Sequence, residues 1–388
     1  MKLSKGQRGR WGLIAGIVLF SLLLSACGSA NTGNPSGSGS SSTSTASTSK
    51  GKGCKKVGIS FPETNTSYRW DNQDKPLLEA DLKSTLGLTD SQIIYNNANG
   101  SSSTQQTQAE SELTNGACLL VVAPEDAKAA AAIVAKAKAQ NVPVISYDRL
   151  IDSADVTAYV SFQGQTVGQL QGQYIKDHYA SYVAANGTKN TVIINGAQTD
   201  NNAILFRQGL HTVMDPLFAA GDLKNVYEQY TDWTAATAQK DMQAALSANN
   251  NKVAIAYVAN DGMADSVIAA LKAVHLDKKV LVTGQDAAQG AITNILEGEQ
   301  AMTVYKPYKK EAQDTANVAK AIVDGTAVTS LATVTSTTPT AKASIPSILE
   351  TPEAVDINNV KTTIIADGFY TKAQICTSAV PAGAGGVC

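Results

Sequence analysis

Apolar and polar positions alternate most regularly between Lys252 and Tyr308. Five segments follow one another there, three short apolar runs and two stretches with apolar residues at helical spacing. In chain order they are Val253–Val258, Ala264–Val274, Val280–Val282, Ala287–Leu296 and Ala301–Val304. Such alternation is typical of parallel strands joined by crossover helices. The pattern therefore predicts an α/β fold with a parallel sheet flanked by helices.

Each apolar run in this stretch is followed by a polar side chain. Asn260, Asp286 and Lys306 follow the first, second and third runs. The carboxyl ends of neighbouring parallel strands open into one crevice, so we expect these three side chains to share it. An amide, a carboxylate and an ammonium group can all hydrogen-bond a small polyhydroxylated solute. None of them is a nucleophile with a base beside it, which favours binding over catalysis.

The same alternation occupies the chain from Lys55 onward and restarts near residue 163. Five predicted strands with their helices complete one α/β unit, and a second unit begins with a helix at Gln165. Two similar halves in one chain predict two Rossmann-like lobes, with a hinge and a ligand cleft between them. We expect residues 54–162 with 308–342 to form the N-terminal lobe, and residues 163–307 with 343–388 to form the C-terminal lobe.

The first residues have the pattern of an export signal. Four basic residues precede Trp11–Leu24, an apolar run of 14 residues that is short for a membrane span. The sequence Leu24-Ser25-Ala26-Cys27 resembles the lipobox of bacterial lipoproteins, which implies lipidation at Cys27. We therefore expect residues 1–26 to be a lipoprotein signal peptide; a core helix that carries a cysteine is the alternative.

Residues 27–53 are rich in serine, threonine and glycine, a composition that cannot bury a core and predicts a flexible, lipid-anchored linker. Removing the signal peptide removes four positive charges and no acidic group, which moves the formal charge from −2 to about −6. This charge excludes nucleic acid as an expected partner. The sequence thus predicts an extracytoplasmic domain, tethered to the outer face of the cell membrane.

Five cysteines leave four once Cys27 is assigned to lipid. Cys54 and Cys118 open two strands of the same predicted lobe, and Cys376 and Cys388 can close a small loop at the C-terminus. Because an exported chain meets oxidising conditions, we expect these two disulfides, with free thiols as the alternative. No two cysteines have metal-site spacing, so we expect no metal and no cofactor.

Several short motifs, in order and without large gaps between about residues 55 and 370, resemble the type I periplasmic binding proteins of sugar ABC transporters, most closely the D-xylose-binding subgroup. The matching motifs are Tyr68-Arg69-Trp70, Tyr147-Asp148-Arg149, Asp200-Asn201-Asn202-Ala203, Leu205-Phe206-Arg207, Asn249-Asn250-Asn251-Lys252, Asn260-Asp261, Gly284-Gln285-Asp286, Met302-Thr303-Val304-Tyr305-Lys306-Pro307 and Asp367-Gly368-Phe369.

This resemblance implies that an aldopyranose binds between the lobes and is passed to an ABC permease. Hydroxyl groups both donate and accept hydrogen bonds, so buried charged side chains suit them, and the C–H faces of the ring can stack on tryptophan. Carried over residue by residue, the sugar contacts would be Arg69, Trp70, Asp148, Arg149, Asn202, Arg207, Trp233, Asn260, Asp286 and Lys306.

The identity of the sugar and of the downstream partner stays open at this point. The loop Pro62–Ser67 lacks the acidic start of the xylose binders, and the loop before Trp233 is one residue shorter. D-xylose is favoured over glucose, galactose and arabinose. A monomeric transport receptor is the leading interpretation, a sensory subunit for a membrane kinase or chemoreceptor is the second, and a glycoside hydrolase using Asp148 and Asp286 is a remote third.

Overall fold

A computed structural model describes residues 51–388, so the predicted signal peptide, Cys27 and most of the linker lie outside the described residues. Within this range the strands β1–β13 are Val57–Phe61, Ile93–Asn97, Leu119–Val122, Val144–Tyr147, Ala158–Phe162, Asn190–Ala197, Lys224–Thr231, Ile255–Val258, Leu281–Val282, Met302–Tyr305, Val334–Thr337, Ser344–Glu350 and Glu353–Asp356. The α-helices α1–α10 are Lys75–Leu86, Ser102–Thr114, Ala131–Ala139, Gly164–Asn186, Asn201–Ala219, Ala235–Ala248, Asp261–Lys272, Gln289–Glu297, Tyr308–Asp324 and Lys372–Ile375.

The first lobe is built on a seven-stranded sheet with the order β11-β12-β5-β4-β3-β1-β2. All neighbouring strands are parallel except β11 and β12. Alternate residues of β3 enter two different cores, because successive side chains of a strand point to opposite faces. Leu119 and Val121 pack with α1 and α9, whereas Leu120 and Val122 pack with α2 and α3. Burial on both faces explains why this strand is an unbroken apolar run.

The second lobe contains a four-stranded parallel sheet with the order β7-β6-β8-β9. The third apolar run between Lys252 and Tyr308 forms β10, which does not continue this sheet regularly and pairs instead with β13 in antiparallel orientation. Two backbone hydrogen bonds still connect this segment to β9 and the loop after it: Ala301 N, just before β10, donates to Val282 O at 2.8 Å, and Val304 N donates to Gly284 O at 3.1 Å. These bonds bring the end of β10 to the same edge as the ends of β8 and β9.

Two glycines let α4 and α5 approach each other backbone to backbone. A Cβ atom at Gly168 would lie 1.8 Å from Phe206 O, and one at Gly209 would lie 1.9 Å from Gln165 O. Any larger residue at either position would push the helices apart. This close contact fixes α5, whose first two turns carry residues of the cleft.

The C-terminal part of the predicted domain division is wrong. Residues 343–388 were assigned to the second lobe, but β12 pairs in parallel with β5, with Ser347 opposite Tyr159, and so belongs to the first sheet. Its side chains Ile345 and Ile348 are buried in the two cores of the first lobe. The last crossing between the lobes therefore lies between β12 and β13, about ten residues later than predicted.

One predicted boundary at the edge of the first lobe also changes. Residues 51–53, which the prediction places in the linker, form a turn in which Gly53 N donates to Val323 O at 2.8 Å.

Helix α3 begins at Ala131 and is preceded by a separate turn. Asp126 Oδ1 accepts bonds from the backbone of Lys128 and Ala129, both at 2.8 Å, and this cap closes a separate turn.

The structure contains a disulfide between Cys54 and Cys118 and another between Cys376 and Cys388. The first ties the start of β1 to the start of β3 across 64 residues of sequence, and the second closes a loop of 12 residues at the C-terminus. Among residues 51–388, no helix is both long and apolar enough to cross a bilayer.

Replacing both cysteines of the Cys54–Cys118 pair by serine should lower the free energy of unfolding by about 4 kcal/mol, because the unfolded chain regains the freedom of a long loop. The same change at Cys376 and Cys388 should cost only about 3 kcal/mol, since that loop is short. Urea unfolding of the two variants and the oxidised parent measures both values. A larger loss for the C-terminal pair would contradict this expectation.

Candidate functional site

The two lobes enclose a narrow cleft. Its walls come from loops at the carboxyl ends of strands and from the first turns of α5, as expected for α/β sheets. The first lobe contributes Thr66, Ser67, Arg69, Trp70, Asp148 and Arg149. The second lobe and the hinge contribute Asp200, Asn202, Phe206, Trp233, Asn260, Gln285, Asp286 and Lys306. Nine of the ten residues predicted from the sequence line this cleft.

Arg207 is the predicted residue that does not line the cleft. Its Nε donates to Glu228 Oε1 at 2.6 Å, and its side chain is 37% exposed on the outside of the second lobe. Asn202 and Phe206 lie four positions apart on one face of α5, which turns the next residue away from the cleft. Phe206, and not Arg207, is therefore the member of the motif Leu205-Phe206-Arg207 that lines the cleft.

Arg69 lies at the centre of a buried ionic network in the first lobe. Its Nε and Nη2 donate to both carboxylate oxygens of Asp74, at 2.7 and 2.6 Å. Its Nη1 reaches Asp148 at 2.5 Å, and Nη2 also reaches Glu311 at 2.8 Å. The guanidinium carbon lies 4.2 Å from the ring centroid of Tyr308. All three nitrogens of the guanidinium group are therefore engaged, and Nη1 holds Asp148 at the cleft.

The carboxyl groups around Arg69 differ in their tendency to ionise. Burial would raise the pKa of Asp148, but the charges of Arg69, Lys306 and Arg149 outweigh it and lower the pKa to about 2. Burial raises the pKa of Glu311 well above its usual value, although Arg69 opposes the shift. Asp148 is thus held as a carboxylate that can accept hydrogen bonds but cannot act as a general acid near neutral pH.

Lys306 links the carboxylates of the two lobes at the hinge. Its Nζ lies 2.8 Å from Asp286 Oδ1 and 3.6 Å from Asp148 Oδ2. The Tyr308 hydroxyl donates to the backbone oxygen of Asp286 at 2.8 Å, which fixes the same turn from the other side. The three groups predicted to follow the apolar runs therefore do converge, through different backbone pairings from those expected.

Three cleft residues have left-handed backbone conformations that are uncommon outside glycine. The φ angles are 56° at Asp148, 67° at Trp233 and 100° at Asp286. At Asp148 the cause is visible, since its backbone oxygen accepts bonds from Tyr159, Ser161 and Asn202. Strained backbone of this kind is retained where the surroundings fix a side chain for function.

Trp233 depends on a glycine as well as on its own backbone. A Cβ atom at Gly196 would lie 2.1 Å from the indole ring, so only glycine leaves room for this side chain against β6. The indole nitrogens of Trp70 and Trp233 and Oε1 of Gln285 are buried without a hydrogen-bond partner among the described residues. A ligand in the cleft can supply partners for such groups.

Hydrogen bonds between the lobes also close the cleft. Asn260 Nδ2 donates to Thr66 O, and Ser67 Oγ donates to Asp286 Oδ2, both at 3.0 Å. The loop after β1 therefore reaches across to the second lobe. The structure represents a closed arrangement, in which a ligand would be surrounded by both lobes.

Five cleft residues were missed by the sequence analysis: Thr66, Ser67, Asp200, Phe206 and Gln285. Phe206 was within reach of sequence reasoning, because it lies one helical turn beyond Asn202. Asp200 resembles an ordinary helix cap and does accept a bond from Asn202 N at 2.8 Å. Thr66 and Ser67 carry no signal, since only the closed arrangement of the lobes brings their loop to the second lobe.

Comparison with known proteins identifies the class to which this fold and cleft belong. Residues 57–327 match the family described as periplasmic binding protein domain. The chain belongs to this family, which confirms the expected fold class and the expectation of a solute receptor rather than an enzyme.

Individual proteins of known ligand are also similar to most of this chain. The chain is 36% identical to a D-xylose-binding periplasmic protein of Haemophilus influenzae and 34% identical to one of Escherichia coli, in each case across 82% of this chain and 92% of the relative. Among solved structures, it resembles a carbohydrate transporter solute-binding protein from Chloroflexus aurantiacus in complex with D-glucose. That match has a TM-score of 0.73 and 30% identity, and it covers 84% of this chain and 98% of the other.

Replacing Asp74 by alanine should lower the free energy of unfolding by about 3–5 kcal/mol, because Arg69 would lose a buried bidentate partner. Asp90→Ala is the matched control, since its ion pair with Lys83 is exposed to solvent and should contribute little to stability. Denaturant unfolding of both variants measures the difference. Equal losses would show that the Arg69 network does not depend on Asp74.

Proposed function

We propose that this protein is an extracytoplasmic receptor that binds one aldopyranose, D-xylose by preference, in the interlobe cleft and delivers it to an ABC permease. Nine residues would contact the sugar: Arg69, Trp70, Asp148, Arg149, Asn202, Trp233, Asn260, Asp286 and Lys306. The lobes would open and close about the hinge, and the sugar would shift the population toward the closed form.

The observation that carries this proposal is the charge balance of the cleft. Three cations line it, Arg69, Arg149 and Lys306, together with three acidic residues, Asp148, Asp200 and Asp286. A site for an anion or a cation would carry an excess of the opposite charge. A balanced set of strong donors and acceptors instead suits a neutral ligand with many hydroxyl groups, each of which donates and accepts.

The aromatic lining supports the same class of ligand. Trp70 comes from the first lobe, and Trp233 with Phe206 comes from the second. Apolar ring faces are suited to the C–H faces of a pyranose, while the charged groups reach its edge. The named ligands of the relatives, D-xylose and D-glucose, are both aldoses of this kind.

The proposed setting of the receptor follows from the sequence. Residues 1–26 would direct export, Cys27 would carry the lipid, and the linker would hold a monomeric domain near the permease. Relatives named as periplasmic proteins support the extracytoplasmic location.

Titration calorimetry of the purified protein against D-xylose, D-glucose, D-galactose and L-arabinose tests the proposal. We expect one-to-one binding of D-xylose with a dissociation constant in the micromolar range or below, because the cleft surrounds a small ligand with charge-assisted hydrogen bonds. Tighter binding of another aldose would correct the sugar. Absence of binding by all four would contradict the proposal of an aldose receptor.

Arginine-to-lysine substitutions distinguish the contribution of Arg149 in the cleft to sugar binding from that of Arg207 on the surface. Arg149→Lys should weaken sugar binding about 10- to 100-fold, because lysine keeps the charge but loses the fork that contacts several partners at once. Arg207→Lys should change the affinity less than about twofold, since this side chain lies outside the cleft. Calorimetry with the preferred sugar measures both. A large effect at Arg207 would return that residue to the binding site.

A further inference from the structure

Three carboxyl groups meet one guanidinium group where the two lobes touch beside the cleft. We call Glu63, Glu125, Arg149 and Asp200 the seam cluster; the first three belong to the first lobe and Asp200 to the second. Arg149 Nη2 lies 2.5 Å from Glu63, its Nε lies 3.0 Å from Asp200, and its Nη1 lies 3.9 Å from Glu125. One positive charge therefore faces up to three negative charges.

Two of these carboxyl groups are in direct contact. The side chains of Glu63 and Glu125 are within hydrogen-bond distance of each other, and Glu63 also accepts a bond from Thr66 Oγ1 at 2.5 Å. Two ionised carboxylates have only acceptor atoms and repel each other at this distance. The contact is favourable only when a proton lies between them.

Glu125 is the member of the pair that holds this proton. Burial, the contact with Glu63 and the charge of Asp200 raise the pKa of Glu125 to about 9, against a partial opposing effect of Arg149. The pKa of Glu63 is instead lowered, because Arg149 and its hydrogen bonds outweigh burial. Gln105 of α2 is neutral, and its Oε1 accepts a hydrogen bond from the backbone N–H of Glu125 at 2.9 Å.

Closure of the lobes assembles the cluster. Asp200 caps α5 in the second lobe and meets Arg149 only across the interface. A backbone bond from Ala127 N to Thr199 O, 2.9 Å long, holds the same edge together. Opening about the hinge would remove Asp200 from the cluster and admit water to Glu125, so two of the three causes that raise the pKa of Glu125 would weaken, while its contact with Glu63 inside the first lobe would remain.

We propose that closure around the sugar makes the seam cluster take up a proton at Glu125, so that the sugar binds more tightly as the pH falls. This inference rests on the proposed function, because it requires a ligand that stabilises the closed form. No covalent chemistry is involved: a proton from solvent becomes shared between two carboxyl oxygens.

The sign of the pH dependence follows from linkage. A group that binds protons more tightly in the closed form favours closure below its closed-form pKa, and this advantage is lost as the pH rises through that value. For Glu125 the upper end of the window is about pH 9, and the lower end is the pKa of the open form, which the contact with Glu63 inside the first lobe keeps above the ordinary range of glutamate. Burial also raises the pKa of Asp200, to about 6, despite Arg149, which adds to the effect at the acidic end.

Calorimetry in phosphate and in Tris at pH 7, with D-xylose or whichever of the four aldoses binds, counts the protons taken up per sugar. We expect about half a proton or more for the parent protein, and a dissociation constant that rises on the order of tenfold from pH 6 to pH 8. Glu125→Gln keeps a hydrogen bond to Glu63 without a titrating proton. It should reduce the uptake to near zero and flatten the pH profile.

Glu110→Gln is the matched control, because Glu110 is on the surface of α2 in the same lobe. It should leave the uptake unchanged. Sugar binding without proton uptake in the parent protein, or uptake that persists in Glu125→Gln, would overturn the inference and leave the proposed function intact. Absence of sugar binding altogether would overturn both.

Discussion

Neutralisation of the buried guanidinium of Arg69 is the constraint on which the first half of the cleft depends. This group is shielded from water, and a buried charge without partners would be strongly destabilising. Asp74 and Glu311 supply two partners from inside the lobe, and Asp148 supplies the third at the cleft surface. The fold thus holds a carboxylate in an ionised, oriented state at the place where a ligand would bind. Arg149 has the same role at the interface, with one partner in each lobe.

The second lobe positions its polar groups by backbone geometry rather than by an ionic network. Trp233 and Asp286 both have positive φ angles, and the indole fits only because residue 196 is glycine. Such conformations are unfavourable for an isolated chain and persist because the surrounding sheet and helices fix them. Each lobe therefore has a rigid set of binding groups before the lobes meet. A rigid-body hinge motion can then complete the site without rearranging either half.

Much of the fold and most of the site could be predicted because both depend on strand ends. Buried parallel strands have unbroken apolar sequences, and the polar residue that follows each strand lies at the edge of the sheet where ligands bind. The errors arise where long-range pairing decides. Nothing in the local sequence of Ser344–Glu350 shows that it pairs with β5 rather than joining the second sheet. Arg207 entered the predicted set through the family resemblance, whereas the face of α5 turns Phe206 and not Arg207 toward the cleft.

The polar and charged groups of the two lobes are balanced only when the lobes meet. Each lobe alone presents an incomplete set: Arg149 lacks its partner Asp200, and Asp286 lacks its bond from Ser67, until the lobes meet. Because these pairs are solvated in the open form, closure exchanges contacts with water for contacts of similar strength, and its net free energy is small. A receptor requires a small free-energy difference between its open and closed forms, because a ligand can shift this equilibrium only by the difference in its affinity for the two forms. The seam cluster at this interface also contains the carboxyl groups of Glu63 and Glu125, so protonation of Glu125 would move the equilibrium toward the closed form.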